Sequence, residues 1–307
     1  MPHGVSRRRY VVPGLVLAVS RRTTRRHHLF VPNMGGETAQ IFWYCLAWAA
    51  RKTGVDVHAA VLMSNHVHLV ITDVRGVAPD FYHELHRLLA MCTKAKLGWP
   101  EEVFNKSKTG AHELVTCDAV IDSCGYAIAN PSTALLVRRA SEWPGARTAA
   151  SDMGTRLIVA KRPTRYFRGE QWPEFLELRI TVPQMLLEEM SPEEARRRVQ
   201  ERVRYYEKEA LADAKAKGRR FLGARRAQRV SCTHRASSYE EFGSRDPRFA
   251  ARGDRAAAKA TIARLRQFDA DYDQALAGWC SGDRTVVFPA GTWWMRVHHG
   301  ARVRPPP

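Results

Sequence analysis

The sequence lacks paired cysteines and long apolar runs. None of its six cysteines belongs to a C-x-x-C pair, so neither a zinc ribbon nor a disulfide framework is indicated, and a reduced, cytoplasmic protein is expected. The best candidate for a membrane span, residues 11–19, is shorter than the ~18 apolar residues that a bilayer requires and precedes two arginines. This segment contains Pro13 and Gly14 and lacks a small-residue cleavage site, which disfavours a signal peptide. We therefore expect neither a membrane protein nor an exported one.

Acidic residues are also scarce relative to basic ones. The chain has 31 Asp and Glu against 49 Lys and Arg, a formal net charge of +18. The excess is +7 over residues 1–150 and +11 over residues 151–307, which excludes a short basic tail as its source. A basic excess over the whole chain favours a polyanionic partner, with nucleic acid first. The 307 residues, 45% of them apolar, suffice for one large domain or two modest ones.

The pattern of apolar residues divides the chain near residues 150–160. The first part predicts strands over residues 15–20, 55–63 and 66–72 and helices ending at Gly54, over 80–97 and over 117–130, where Pro131 opposes continuation. This order predicts an α+β domain on an antiparallel sheet over residues 1–155. Residues 156–307 are Arg-rich and predict a basic, mainly α-helical region, with one helix starting at Ser191-Pro192 and another over 255–278.

Two histidines stand inside the predicted strand at 66–72. Side chains alternate along a strand, so His66 and His68 share one face, while Val67, Leu69 and Ile71 share the other, where a core is expected. Two imidazoles on a rigid strand can hold a divalent ion at a fixed separation. A pair of half-exposed polar residues is the alternative, because this spacing alone is a weak signal.

Tyr126 and Asn130 are four residues apart on a predicted helix and therefore share a face. Tyr126 points away from the apolar stripe of that helix. A phenol becomes a nucleophile when a cation stabilises the phenolate or the charge developing on its target, and an amide oxygen one turn on is a suitable ligand for that cation. A surface or interface tyrosine is the alternative. Asp122, one turn before Tyr126, is expected to be a solvated helix residue.

Both motifs resemble those of a known superfamily. Residues 63–70, M-S-N-H-V-H-L-V, resemble the M-P-N-H-V-H-L-hydrophobic signature of the HUH single-strand transposases, and residues 126–131, Y-A-I-A-N-P, resemble their Y-I-x-x-N-P helix. Within the superfamily, the chain resembles the REP-associated tyrosine transposases, which use one catalytic tyrosine. The likeness covers about residues 10–150. Ser64 replaces a proline, Ala127 replaces an isoleucine, and W-P-G at 143–145 replaces a P-W-S-S stretch; these departures flank the motif residues.

The resemblance implies an HUH domain of RRM-like, ferredoxin-type topology that cleaves and rejoins hairpin-associated single-stranded DNA. It implies that His66, His68 and Asn130 bind Mg²⁺ or Mn²⁺. Tyr126 would then be the nucleophile, forming a 5′-phosphotyrosine and releasing a 3′-hydroxyl. Tyr82 is the second choice of nucleophile. The expected partner is single-stranded DNA with hairpins, bound by a monomer or a homodimer.

Two basic segments are candidates for DNA contact. Arg21, Arg22, Arg25 and Arg26 follow the first strand, with Phe30 as a nearby aromatic, and Arg219, Arg220, Arg225 and Arg226 lie in a run without acids. A solvated charged loop or face is an equal alternative for each segment. Two other functions stay open. The first is a catalytically inert, domesticated single-stranded nucleic-acid-binding protein. The second is a metalloenzyme acting on small molecules, which the net charge and the tyrosine spacing disfavour.

Overall fold

A computed structural model describes residues 8–105, 109–236 and 247–306. The first part contains β1 (Leu15–Arg22), α1 (Glu37–Thr53), β2 (Asp56–Met63), β3 (His66–Asp73), α2 (Ala78–Leu97), β4 (Gly110–Leu114) and α3 (Cys117–Thr133). The second contains β5 (Leu157–Lys161), β6 (Phe175–Arg179), α4 (Gln184–Leu187), α5 (Pro192–Ala216), α6 (Ala224–Ala227), β7 (Phe249–Ala250), α7 (Arg255–Cys280), β8 (Val287–Phe288), α8 (Trp293–His299) and β9 (Arg302–Val303). The fold is α+β, as predicted.

The main sheet has five strands in the order β2-β3-β1-β4-β7. All neighbours are antiparallel except β4 and β7, which are parallel. Strand β1 lies at the centre, where Ser20 pairs with His68 and Arg22 pairs with His66. On its other side, Ala18 pairs with His112 of β4. Since directly paired residues share a face, the sheet gathers three histidines on one face.

Capping residues mark the ends of the helices in the first part. Gly54 and Gly98 adopt left-handed conformations, with φ of 73° and 61°, and cap α1 and α2. Helix α3 begins at Thr116, whose hydroxyl accepts the Ala119 N–H. The expectation that Pro131 ends α3 was wrong, because the helix continues to Thr133. A proline in the last turn removes a single N–H donor, and the Pro131 carbonyl still accepts from the N–H groups of Leu136 and Val137.

The alternation predicted for β3 is confirmed. Val67, Leu69 and Ile71 are buried in one apolar core together with residues of α1 and α2. His66 and His68 are half-buried on the opposite face, against which α3 packs. Val67, Leu69 and Ile71 therefore share a buried face, and His66 and His68 share with the buried Val70 the face toward α3.

Substituting Val67 tests this assignment of faces. Val67→Asp is expected to lower the free energy of unfolding by at least about 4 kcal/mol, because it buries a carboxylate without a partner. Val67→Ala, the matched control, is expected to lower it by roughly 2 kcal/mol through reduced apolar burial alone. Urea denaturation of both variants measures the difference. Equal midpoints for Val67→Asp and the parent protein would contradict the buried position of this side chain.

Helix α5 joins the second part of the chain to α3. It begins at Ser191, whose hydroxyl accepts the Glu194 N–H, as the sequence predicted. Helices α3 and α5 pack closely because Gly125 has no side chain: a Cβ there would lie 2.5 Å from Cγ of Arg202. The core cluster extends from Val16 to Val203, so packing is continuous across residue 155, and the division into two domains stays a prediction.

The second part also contains strands that its helical pattern did not predict. Strands β5 and β6 form an antiparallel pair in which buried and exposed side chains alternate. Each of these strands has only five residues, so the alternation of apolar and polar residues was too short to predict a strand within an arginine-rich sequence. None of the helices in the described residues is long and apolar enough to span a lipid bilayer.

Backbone from the second part pairs with both edges of the main sheet. At the β4 edge, the N–H groups of Glu113 and Val115 donate to carbonyls of Arg248 and Ala250. At the β2 edge, Thr181 N–H donates to the Val57 carbonyl. The W-P-G segment covers the same edge, where the Trp143 indole N–H donates to the Leu62 carbonyl over 3.0 Å.

Candidate active site

Strand β3 and helix α3 bring the four residues of the two motifs together. The imidazole rings of His66 and His68 lie 4.8 Å apart, centre to centre. Nε2 of His66 is 3.0 Å from Oδ1 of Asn130, and the His68 ring meets the Tyr126 ring edge-on at 5.7 Å. The predicted helical spacing therefore directs Tyr126 and Asn130 to successive histidines of one strand.

The contacts of His66 fit a cation-binding arrangement. Its Nδ1 lies 2.6 Å from Oδ1 of Asn65, and its Nε2 faces Oδ1 of Asn130. A neutral imidazole has one N–H. When Nδ1 donates to Asn65, the Nε2 lone pair and the amide oxygen of Asn130 lie 3.0 Å apart, close enough to bind one ion together. Asn130 is buried, which fixes this oxygen in place.

The surroundings of both histidines favour the neutral form. Burial, reinforced by the positive charges of Arg22 and Arg26, lowers the pKa of His66 to about 4, although the contact with Asn130 opposes the shift. Burial also holds the pKa of His68 well below its usual value, and the neighbouring His66, Arg22 and His112 act in the same direction. Neutral imidazole nitrogens are the form that binds a metal.

Tyr126 differs from the other tyrosines of the first part in its exposure. Its side chain is 41% exposed and packs between two rings, that of His68 and that of Tyr206 on α5, whose centre is 5.4 Å away. Tyr82 and Tyr44 are 4% and 0% exposed. Burial raises the pKa of the Tyr82 phenol. Tyr82 is therefore a poor second choice of nucleophile.

Tyr126 opens into a cleft of about 370 Å³. Its walls include His68, His112, Asp122, Tyr206 and Arg252. Across the described ranges, no cluster of three or more His, Cys, Asp and Glu side chains forms a metal site. The amide oxygen of Asn130 is a further donor atom beside His66, and binding of a metal by His66, His68 and Asn130 stays a prediction. His112 was not predicted, because strand β4 is too short to give a periodic signal.

The expectation that Asp122 is a solvated helix residue was wrong. Its side chain is 15% exposed, and Oδ1 accepts from the Tyr206 hydroxyl at 2.8 Å and from Arg252 at 2.5 Å. Nε of Arg202 lies 3.3 Å from the same oxygen. These partners are 80 or more residues away in sequence, so helical spacing within α3 could not predict them.

The first basic segment is divided between several environments. Arg22 is exposed and pairs in register with His66. Arg26 lines a second cavity, of about 330 Å³, that also contains His66. Arg21 donates to the Asn105 carbonyl, and Arg25 forms an ion pair with Glu101. Phe30 is buried and packs against Phe104, so it is not presented for stacking on a base.

One arginine of the second basic segment lies near His66. Arg219 lines the same cavity as Arg26 and His66. Arg220, Arg225 and Arg226 are exposed, the last two on α6. The fold therefore places Arg22, Arg26 and Arg219 near His66. Contact of any of the eight arginines with DNA stays a prediction.

Among known proteins, the chain is similar to solved structures of transposases. No family model and no curated protein matches the sequence. One similar solved structure is described as the REP associates tyrosine transposase bound to a REP hairpin; it has 16% identity and a TM-score of 0.42, and the alignment covers 54% of this chain and 92% of that one. Another is described as a putative transposase from Deinococcus radiodurans R1, with 23% identity, a TM-score of 0.27, and coverage of 35% and 84%.

Proposed function

We propose that this chain is a transposase-type enzyme that cleaves and rejoins single-stranded, hairpin-associated DNA through a 5′-phosphotyrosine. One observation carries the proposal: an exposed tyrosine, two neutral imidazoles and a buried amide oxygen lie in successive contact between β3 and α3 of a strongly basic chain. The nucleophile and the cation ligands of a phosphodiester transesterification are residues of these types.

The chain's own residues would position the nucleophile. The rings of His68 and Tyr206 hold Tyr126 from two sides, which restricts the direction from which its oxygen meets a phosphorus atom. The reaction forms the bond between the Tyr126 oxygen and phosphorus and breaks the bond from phosphorus to the 3′ oxygen. The phenol releases its proton, and the 3′ oxygen takes one up. One phosphoester replaces another, so rejoining needs no energy source.

His66, His68 and Asn130 would hold a divalent ion beside this nucleophile. Mg²⁺ or Mn²⁺, when bound, would supply Lewis-acid polarisation of the phosphate and orient it. The donor set of two nitrogens and one oxygen leaves positions for phosphate and water oxygens. Asn65 and the buried position of Asn130 fix two of the three donors.

Covalent trapping tests the proposal. The full chain is incubated with Mn²⁺ and a pool of single-stranded hairpins that have randomised flanks and a 3′ label. A 5′-phosphotyrosine retains the 3′ fragment, so the label should migrate with the protein in denaturing gels. Release of the label by a tyrosyl-DNA phosphodiesterase would identify the linkage. Binding of the pool without any adduct would instead support the inert nucleic-acid-binding protein, and neither binding nor adduct would contradict both functions.

A matched pair of double variants tests the basic run. Arg225→Gln with Arg226→Gln is expected to reduce the salt slope of single-strand binding by about 0.7 for each phosphate that is no longer neutralised, or about 1.4 for two phosphates. The control, Arg196→Gln with Arg197→Gln, removes arginines that pair with Glu193 and Glu194 on α5 and should leave the slope unchanged. Fluorescence anisotropy over a salt series measures both. Equal slopes in the two variants would assign Arg225 and Arg226 to a solvated face.

A further inference from the structure

The Tyr126 cleft is lined on one side by residues of the second part of the chain. Tyr206 comes from α5, and Ala250 and Arg252 come from β7 and the turn that follows it. Of the described residues that line this cleft, Arg252 is the only one with a permanent positive charge. A phosphate attacked by Tyr126 would carry additional negative charge in the transition state, and the imidazoles of His68 and His112 offer no fixed charge to balance it.

Arg252 lies in a tight turn between β7 and α7. Arg252 has a φ of 47° and Gly253 a φ of 92°, two left-handed residues between strand β7 and the Asp254 cap of α7. The left-handed conformation is unfavourable for a residue that has a Cβ atom. Pairing of β7 with β4 and the start of α7 hold this turn on both sides and keep Arg252 at the cleft.

Asp122 and Tyr206 orient the Arg252 guanidinium. The Arg252 Nη2 group donates to Oδ1 of Asp122, and the Tyr206 hydroxyl donates to the same oxygen. A guanidinium has five N–H donors in a rigid plane. One hydrogen bond to Asp122 leaves donors available, and the Arg252 side chain is 44% exposed. The ion pair with Asp122 therefore orients the guanidinium, while its other N–H groups can still donate to an anion.

We propose that Arg252 binds the non-bridging oxygens of the phosphate that Tyr126 attacks, and that Asp122 and Tyr206 position it. The inference rests on the proposed transesterase function and adds to it a catalytic residue from the second part of the chain. The ligand is a phosphodiester anion of single-stranded DNA. Arg252 stabilises the charge that accumulates on this phosphate as the bond from the Tyr126 oxygen to phosphorus forms and the bond to the 3′ oxygen breaks.

A charge-selective substrate tests this role. One hairpin sequence recovered from the adduct assay is prepared with either a phosphodiester or an uncharged methylphosphonate at the cleaved linkage. Arg252→Gln is expected to slow adduct formation on the phosphodiester by about 10²–10³-fold. On the methylphosphonate, the same variant should differ from the parent protein by about threefold or less, because a methyl group replaces the charged non-bridging oxygen with which Arg252 would pair. Arg252→Lys keeps the charge but loses the planar set of guanidinium donors, so its rate on the phosphodiester should lie between those of the parent protein and Arg252→Gln.

Two further variants separate the phosphate interaction from a structural effect. Arg198→Gln breaks a comparable pair with Asp118 on the same α3–α5 seam, outside the Tyr126 cleft, and should leave the rate unchanged on both substrates. Tyr206→Phe keeps the ring beside Tyr126 but removes the hydroxyl that donates to Asp122. A positioning role predicts a rate loss of about tenfold for this variant on the phosphodiester, again reduced on the methylphosphonate.

The outcomes distinguish the inference from the proposed function. Unchanged rates for Arg252→Gln, or equal losses on the two substrates, would overturn the role of Arg252 while the transesterase function stands. If circular dichroism shows that Arg252→Gln does not fold, Arg252→Lys is tested instead. Its ratio of phosphodiester rate to methylphosphonate rate should be lower than that of the parent protein. A ratio equal to that of the parent protein would overturn the role of Arg252. Absence of any adduct with the parent protein would overturn the function and the inference together.

Discussion

Replacing Tyr126 with phenylalanine is expected to eliminate covalent attachment of single-stranded DNA to the chain. The variant keeps the ring that packs between His68 and Tyr206 but lacks the oxygen that bonds to phosphorus. Strand cleavage and adduct formation should therefore disappear together, whereas the free energy of unfolding should change by no more than about 0.5 kcal/mol. Binding of the uncleaved hairpin should persist, because affinity comes chiefly from interactions with many phosphates.

Tyr205 provides a matched control for this experiment. It is 48% exposed on the neighbouring helix α5, so Tyr205→Phe removes an equally accessible phenol outside the cleft and should leave adduct yield unchanged. The same labelled hairpins and denaturing gels serve both variants. A 5′-linked adduct on the Tyr126→Phe chain would identify a different nucleophile. Tyr206 would be tested next, because it lines the same cleft, whereas Tyr82 is buried.

Replacing His68 with alanine is expected to abolish cleavage without abolishing binding. Loss of one ligand weakens the hold on the divalent ion whose polarisation of the phosphate is worth several kcal/mol, which corresponds to a rate loss of at least about 10³-fold. Single-strand affinity should stay within about threefold, since His68 is one of many groups near the DNA. His66→Ala should behave in the same way. Rates from adduct gels and affinities from anisotropy give the two quantities for each variant.

An exposed histidine on α2 supplies the control for the His68 experiment. His83→Ala removes an imidazole of the same type from a surface position and should preserve both rate and affinity. His68→Gln, which retains a polar side chain in the half-buried position, guards against a loss caused by misfolding. If cleavage and binding fall in parallel in the folded His68 variants, the separation between metal binding and DNA binding is wrong.

The sequence predicted the parts of the site that depend on local periodicity. A period of two along β3 places His66 and His68 on one face, and a spacing of four along α3 places Tyr126 and Asn130 on another. Because each pattern operates within one element, neither depends on how the chain folds elsewhere. The facing arrangement of the two pairs came only from the resemblance, and in the structure they lie in contact.

The parts that could not be predicted depend on contacts between distant segments. Asp122 and Arg252 are 130 residues apart, and a two-residue strand, β7, brings them together. Gly125 gave no signal of its own, although it permits α5 to approach α3. Phe30 follows a basic run and suggested a surface aromatic, but the core buries it. A pattern of apolar residues predicts which positions are buried, but it does not predict which distant element covers them.

The pairing of both sheet edges has a consequence for self-association. Unpaired N–H groups along a sheet edge recruit strands from other molecules. A chain cut at residue 155 would lose the carbonyls of Arg248 and Ala250 that Glu113 and Val115 use, and also the Thr181 group that pairs with Val57. The β4 edge would then be open to strands of neighbouring copies, whereas residues 143–148 would still cover most of the β2 edge. The basic second half therefore protects the β4 edge from pairing with strands of other copies.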